Sequence, residues 1–497
     1  MLAIKKVSMV VYLPGNRNPI YRNISRLRWR MPTMIRILGF FLCFNLACAS
    51  IAFALPQGAQ VESGSATVTS SGKTLDITAA NNTIINFSSF NIAQDETVDI
   101  TLPSNTSNLL ARDLGGNQSS ILGSLLSNGN LVLTNPNGID FGPSANVHVN
   151  NMIASSLDIA SNDFINGNYL FTHTPGAAYG QVSNEGTIVA KNLVLQGSSV
   201  NNSGLIQAVE GTVHLISGDQ TIVSFDPEGL INVVIDQQTS GKMFGATNAV
   251  SNSGQIQAHR VIMAAQTAQA VFENVINQTG VVKATQIVDH NGVIKIVANG
   301  NVQVSGNLQA TGGKISISST ERSVRIDQAL AAEAGTINIS AAKDVVINVP
   351  VTTQGNTTIQ AKYNIDVNAN ITTDSGNLNL LADSDLDGVG AFIQEPGTLV
   401  STTSFGDIVI QGSGQNYIEN ITSVGNITLK QGGAAVVFNG STQGRPLQNG
   451  IVGVDLVSTR SFNISQGVTL NAGDTTYIIG QNWINDGTFV PKAPKSF

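Results

Sequence analysis

Alternation of apolar and polar positions, restarted after glycine, is the dominant pattern of this chain. One form reads Gly-x-(Ile/Leu)-x-(Ile/Leu). It occurs at Gly313-Lys-Ile315-Ser-Ile317, Gly335-Thr-Ile337-Asn-Ile339, Gly376-Asn-Leu378-Asn-Leu380, Gly406-Asp-Ile408-Val-Ile410 and Gly425-Asn-Ile427-Thr-Leu429, with a weaker copy at Gly355-Asn-Thr-Thr-Ile359. A second form lies upstream, where Val182-Ser-Asn-Glu-Gly186-Thr-Ile188 matches Val200-Asn-Asn-Ser-Gly204-Leu-Ile206 and Val250-Ser-Asn-Ser-Gly254-Gln-Ile256. A period of two sends alternate side chains to opposite faces of a strand. Each unit of about 20 residues is too short to bury its apolar face alone, so units must stack. The expected fold is all-β, a right-handed parallel β-helix, with Gly and Asn supplying positive φ at its corners. At that period, residues 55–497 make about 22 coils. An antiparallel sandwich would instead place turns every 8–12 residues or so.

Composition agrees. Charged residues are 11% and aromatics 5% of the chain, against roughly 25% charged in ordinary globular domains. Hydrophobic content of 42% argues against disorder. The charge is uneven. Residues 1–54 hold eight basic residues and no acid, which leaves 17 basic against 32 acidic residues in the remainder. A chain that acidic, with scattered Lys and Arg, is not expected to bind nucleic acid.

The basic stretch precedes an apolar run, Ile35–Ala54, that ends Ala52-Phe53-Ala54 before Leu55-Pro56. This is the small-x-small pattern of a signal-peptidase site, so residues 1–54 are read as an extended signal peptide cut between Ala54 and Leu55. The run contains Asn45 and is barely long enough to be a membrane anchor. Both cysteines, Cys43 and Cys48, lie inside it. A cysteine-free mature chain suits export in an unfolded state, since no disulfide could block threading; low cysteine usage alone is the alternative.

Four ordered blocks follow the signal: Asn86-Phe87-Ser88-Ser89-Phe90-Asn91-Ile92, Glu96-Thr97-Val98, Gly115-Gly116-Asn117-Gln118-Ser119-Ser120-Ile121-Leu122-Gly123, and Asn128 to Gly142 with Asn135-Pro136-Asn137-Gly138-Ile139 at its centre. Together they resemble the amino-terminal domain of two-partner-secretion exoproteins, the filamentous-haemagglutinin family. Phe87 stands where that family usually has Trp, and a second family motif, Asn-Pro-Asn-Leu, is absent. The resemblance covers residues 55–245, and 246–497 share only the repeat style. It implies a few extra antiparallel strands near the amino-terminal cap. It also implies Sec export, recognition by the periplasmic domains of an outer-membrane transporter barrel, and coil-by-coil folding at the cell surface without nucleotide hydrolysis. Asn135, Pro136, Asn137, Gly138 and Ile139 are the candidate secretion motif. Pro presets φ and Asn-Gly supplies left-handed positions, so the segment either orders the first coils or touches the transporter.

Candidate chemistry is sparse. Asp383-Ser-Asp385-Leu-Asp387-Gly388 matches the start of a calcium loop, although position 12 is Gln394, with Glu395 beside it. Asp383, Asp385 and Asp387 are therefore candidate calcium ligands; no other cofactor is expected. His148, His173, His214, His259 and His290 lack partners at metal-ligand spacing and are read as surface or core-edge residues. No hydrolase elbow, phosphate loop or zinc-protease motif occurs, so no catalytic residue is assigned. Residues 400–497 lack the aromatic girdles of an autotransporter barrel. The expected function is that of a secreted, surface-located adhesin with a host-surface or carbohydrate ligand. The alternatives are a β-helix polysaccharide lyase or hydrolase, and the stalk of a contact-dependent toxin lacking its toxic domain.

Overall fold

The computed structural model describes residues 55–225, 231–272, 274–284, 291–333, 335–440, 454–471, 476–479 and 482–490. Its strands wind into a parallel β-helix with three faces. The first face starts at Thr74–Ala79, the second at Thr83–Phe87 and the third at Ser119–Ile121. Each strand pairs in parallel with the equivalent strand one coil later: Thr74–Ala79 with Thr97–Thr101, Thr83–Phe87 with Asn108–Asp113, Ser119–Ile121 with Ile139–Phe141. Long strands such as Ser124–Thr134 and Thr187–Gly197 serve two faces, their first halves pairing on the first and their second halves on the second.

The repeats land in register. Ile294, Ile315 and Ile337 stack on the second face, as do Ile296, Ile317 and Ile339. All six are buried, whereas Ser316 and Asn338 between them face outward. Burying one such side chain contributes roughly 1.5–3 kcal/mol. That contribution exists only when a neighbouring coil covers it, so the stack is cooperative between adjacent coils.

Apart from Gly406, whose φ is 133°, the repeat glycines stack for a reason other than the expected positive φ. Gly313, Gly335, Gly355, Gly376 and Gly425 have ordinary backbone angles. A Cβ on Gly335 would lie 1.7 Å from the carbonyl oxygen of Gly313, and one on Gly254 would lie 2.1 Å from that of Gly204. Successive coils approach so closely at these corners that a methyl group has no room.

The first face contains sixteen described strands, from Thr74–Ala79 to Thr476–Ile479. This falls short of the coils expected from length, because part of the chain runs outside the column. Gln60–Ser63 pairs antiparallel with Thr83–Phe87, and Ala66–Ser71 with Thr74–Ala79, at the amino-terminal end. A separate antiparallel sheet joins Asp158–Ile159, Tyr169–Thr172, Gln220–Phe225 and Ile231–Gln237. It covers an outward row of the second face, Ile84, Leu110, Val132, Ile153 and Val194, using Phe164, Phe171, Val223 and Ile231. Past this sheet the row becomes Lys295, Ser316 and Asn338 and meets solvent.

Buried Arg112 joins the extra elements. Its guanidinium donates to Glu62 of the cap strand at 2.9 Å, to Asp158 at 3.1 Å and to the Ile159 carbonyl at 2.6 Å. The column itself continues through residues 245 and 246: Asn248–Asn252 pairs with Ser199–Asn202 before it and Asn274–Gln278 after it.

Candidate functional site

Asn135–Ile139 forms the corner between the second and third faces of the third coil. Asn135 is fully buried. Its Nδ2 donates to Ser119 Oγ at 2.8 Å, to the Asn117 carbonyl at 2.9 Å and to Asp113 Oδ2 at 3.1 Å. Its backbone N–H donates to the Ser155 carbonyl in the next coil at 3.0 Å. Asp113, 2% exposed, also accepts from the Phe90 N–H at 2.8 Å, from Ser119 Oγ at 2.6 Å and, through Oδ1, from the Gly115 N–H at 2.9 Å. One buried carboxylate thus ties the first three coils, and Asn135 extends the network to the fourth. Removing either partner strands buried donors, each worth about 1–3 kcal/mol.

The other motif residues complete the corner. Asn137 Nδ2 donates to the Gly115 carbonyl at 2.8 Å, and its N–H to Asn135 Oδ1 at 2.9 Å. Gly138 has φ 107°, and a Cβ there would lie 2.6 Å from the Gln181 carbonyl oxygen, so glycine is required on both counts. Ile139 belongs to the core. Pro136 and Asn137 are half-buried, and Leu114, Asn117 and Gln118 are exposed beside them. The corner therefore has an inner side that holds coils together and an outer side open to a partner.

The preceding blocks are also anchors. Phe87 and Phe90 are buried edge to face at 5.1 Å. Asn91 Oδ1 accepts from the Ser120 N–H at 2.8 Å, and Asn128 exchanges two hydrogen bonds with the Leu102 backbone at 2.7 and 2.8 Å. Sequence reasoning missed Asp113, the hub. The available signal was an acid, beside an arginine, on an apolar strand of a charge-poor chain.

Ala52 and Ala54 of the expected cleavage site lie outside the described residues. Leu55, the first described residue, is buried, and its carbonyl accepts from Gln57 Nε2 at 2.6 Å.

Asp383, Asp385 and Asp387 come together, with one carboxylate oxygen of each within 4.8 Å of the others. Both oxygens of buried Asp383 already face donors: the N–H groups of Asp387 (3.0 Å), Gly388 (3.2 Å) and Gly433 (2.6 Å), and Ser413 Oγ. Burial pushes its pKa up, but these hydrogen bonds outweigh burial and hold it below the usual carboxylate value. Asp385 pairs with Lys362 at 3.5 Å. Gln394 is buried in the third face and donates to the carbonyls of Thr398 and Asn420. The Asp383 carboxylate thus organises its own turn and ties that turn to the coils that carry Ser413 and Gly433.

Of the histidines, His148 is exposed, and His290 lies outside the described residues. His214 and His259 are not surface residues; they are 1% and 2% exposed. His214 sits in the covered outward row, its Nε2 donating to the Ile231 carbonyl at 2.8 Å.

Comparison with known proteins places these features. The family model for the TPS secretion domain matches residues 52–310. A heme/hemopexin-binding protein of Haemophilus influenzae (strain ATCC 51907 / DSM 11121 / KW20 / Rd) is 30% identical over 267 residues, spanning 52% of this chain and 29% of that protein. A second heme/hemopexin-binding protein of Haemophilus influenzae is 25% identical over 252 residues, spanning 46% of this chain and 26% of that one. The chain thus spans less than a third of the length of these curated relatives. Among solved structures it is similar to the HMW1 secretion domain from Haemophilus influenzae, with 21% identity, a TM-score of 0.48, and coverage of 87% of this chain and 100% of that one. It is also similar to the filamentous hemagglutinin secretion domain, with 13% identity, a TM-score of 0.34, and coverage of 70% and 97%.

Proposed function

The chain belongs to the TPS secretion domain family, and from that premise we propose that it is an adhesin-type surface exoprotein and not an enzyme. As a two-partner-secretion exoprotein it crosses the outer membrane, and its TPS domain implies a dedicated outer-membrane transporter as partner. In our reading, residues 1–54 direct Sec export and are removed after Ala54. Residues 55–245 carry the recognition function, and 246–497 present the repeat surface that attaches to a host surface or carbohydrate.

The buried network centred on Asp113 supports the folding half of this reading. It links the first four coils through residues of three separate sequence blocks, so these coils fold together or not at all. Such a nucleus suits a chain that emerges amino end first. Each later coil needs only the preceding one, and its burial would draw the chain outward. The transporter would read these same blocks, with Leu114, Gln118, Pro136 and Asn137, as extended chain before the corner forms.

The test is secretion of the full chain from a Gram-negative host, with and without the transporter encoded beside its gene. Partner-dependent appearance in the medium or at the cell surface is expected. Asn137→Ala should reduce it at least tenfold, a loss of about 1.4 kcal/mol in recognition. Unchanged melting of the purified variant would place the defect in transporter contact, and lowered melting in corner folding. Partner-independent secretion would overturn the mechanism.

The lyase reading requires a free carboxylate cluster or a basic group in a groove. The Asp383 carboxylate is instead occupied by donors of its own turn, Asp387 and Gly388, and of later coils, Ser413 and Gly433, which favours the non-enzymatic reading. Release of unsaturated sugars from acidic polysaccharides would reverse that choice.

A further inference from the structure

Two troughs on the column span the boundary between residues 245 and 246, and one of them begins at Gln181, which stacks on Gly138 of the secretion corner. One, of about 510 Å³, is floored by the outward ladder Asn201, Ser251 and Asn277 and walled by Met243 and Phe244. The Phe244 ring is fully exposed. The other, of about 590 Å³, follows the corner between the third and first faces. Its floor is the stacked glycines Gly204, Gly254, Gly280 and Gly306, where a Cβ would lie 2.1–2.2 Å from the preceding coil's carbonyl oxygen. Its wall includes Ser203, Ser253, Thr279 and Ser305. Ser253 and Thr279 line both troughs, so the two are continuous.

Four properties define what fits there. The trough runs along the column, and its polar rungs repeat at the coil spacing of about 4.8 Å, close to the length of one pyranose unit in an extended chain. The rungs are hydroxyls, amides and backbone carbonyls, which match sugar hydroxyls as donors and acceptors. The bare Phe244 ring offers a platform for the C–H face of a sugar. No residue lining either trough is ionisable, which disfavours acidic polysaccharides and nucleic acid. A peptide strand is also disfavoured. The third-face strands are paired on both sides, as Asn248–Asn252 is, leaving no free edge to extend. Volumes of this size lie within the usual range of ligand sites.

We propose that this trough, from Asn201 to Ser305 with Phe244 at its rim, binds a neutral linear glycan. The proposal rests on the attachment reading and supplies its ligand class. Binding at one site is shallow and weak, and many copies on one cell surface make it effective.

The experiment passes the purified secreted chain over immobilised neutral oligosaccharides (gluco-, xylo-, galacto- and manno-series) and over heparin, hyaluronate and polygalacturonate, at low and high salt. Retention by at least one neutral series, unchanged by salt, is expected. Phe244→Ala should weaken it about tenfold, the loss of one stacked ring, with melting unchanged. Retention only by acidic glycans, salt-sensitive retention, no retention, or indifference to Phe244→Ala would each overturn the assignment. Secretion blocked by Phe244→Ala with glycan retention intact would give the residue to export and overturn it too. Adhesion of beads carrying the chain to host cells is measured in parallel. Adhesion without glycan retention defeats the glycan site alone, and loss of both defeats the attachment reading with it.

Discussion

Polar side chains inside the column are where single residues weigh most. His214 is covered by the antiparallel sheet, and burial lowers its pKa from 6.5 to about 4. The Ile231 carbonyl opposes that shift, and the positive charge of Arg260 adds to it. The folded value lies below the unfolded one, so the unfolded chain binds more protons between those limits. Stability therefore rises with pH across that window and is lost as pH falls from 6.5 towards 4. The contribution is about 3 kcal/mol at most. Urea unfolding midpoints should drop between pH 7 and pH 4.5, roughly, and His214→Leu should flatten that drop; an equal drop in the variant would exclude the residue. Thr357 is a second case. It replaces the isoleucine of the repeat, stacks between Ile337 and Leu378, and buries a hydroxyl without a partner. Thr357→Val should raise stability by about 1 kcal/mol, read as a higher urea midpoint at unchanged slope.

At the scale of strands and corners, one period of alternation explains most elements, and its exceptions are informative. Leu109-Leu110-Ala111, Leu131-Val132-Leu133 and Leu193-Val194-Leu195 are apolar without alternation. Such runs mark strands buried on both sides, and each lies beneath the covering sheet. The corners obey a different constraint. Glycine columns allow neighbouring backbones to touch, so a single methyl group disrupts two coils. Gly254→Ala should cost about 3 kcal/mol although its backbone angles suit any residue. Melting of the variant near that of the wild type would show that the corner can open to admit a side chain.

For the molecule as a whole, the relevant property is that coils in the regular region are interchangeable. Thr336–Ala341, Val345–Ile347 and Val351–Thr353 make up one coil, and the strands before and after it share its register. Deletion of residues 335–354 removes one strand from each face and brings Gly313 against Gly355. Because energies in a solenoid are nearest-neighbour sums, the deletion variant should fold and be secreted, with circular dichroism showing the same strand signature. Removing a coil from residues 97–142 should abolish both, since the Asp113 network would lose its partners. Equal tolerance of both deletions would contradict a nucleating amino-terminal region.

The sequence by itself determined the all-β class, the stacking of short units, the faces of Ile315, Ile317, Ile337 and Ile339, and the position of the Asn135–Ile139 corner. These follow from local periodicity and from residue types with narrow backbone roles, which a linear reading registers. Other features depend on residues far apart in the chain. Asp113 joins Phe90, Ser119 and Asn135, His214 lies under Ile231, and the Phe244 loop stands over a ladder built from three coils. The repeat glycines were legible as punctuation, but their shared physical reason, contact between neighbouring backbones, with positive φ at Gly406 alone, exists only once the coils are stacked. The carboxylates of Asp383, Asp385 and Asp387 looked like ligands because spacing registers where oxygens are. Only the tertiary structure decided that the three oxygens lie together and that N–H groups already face the one of Asp383.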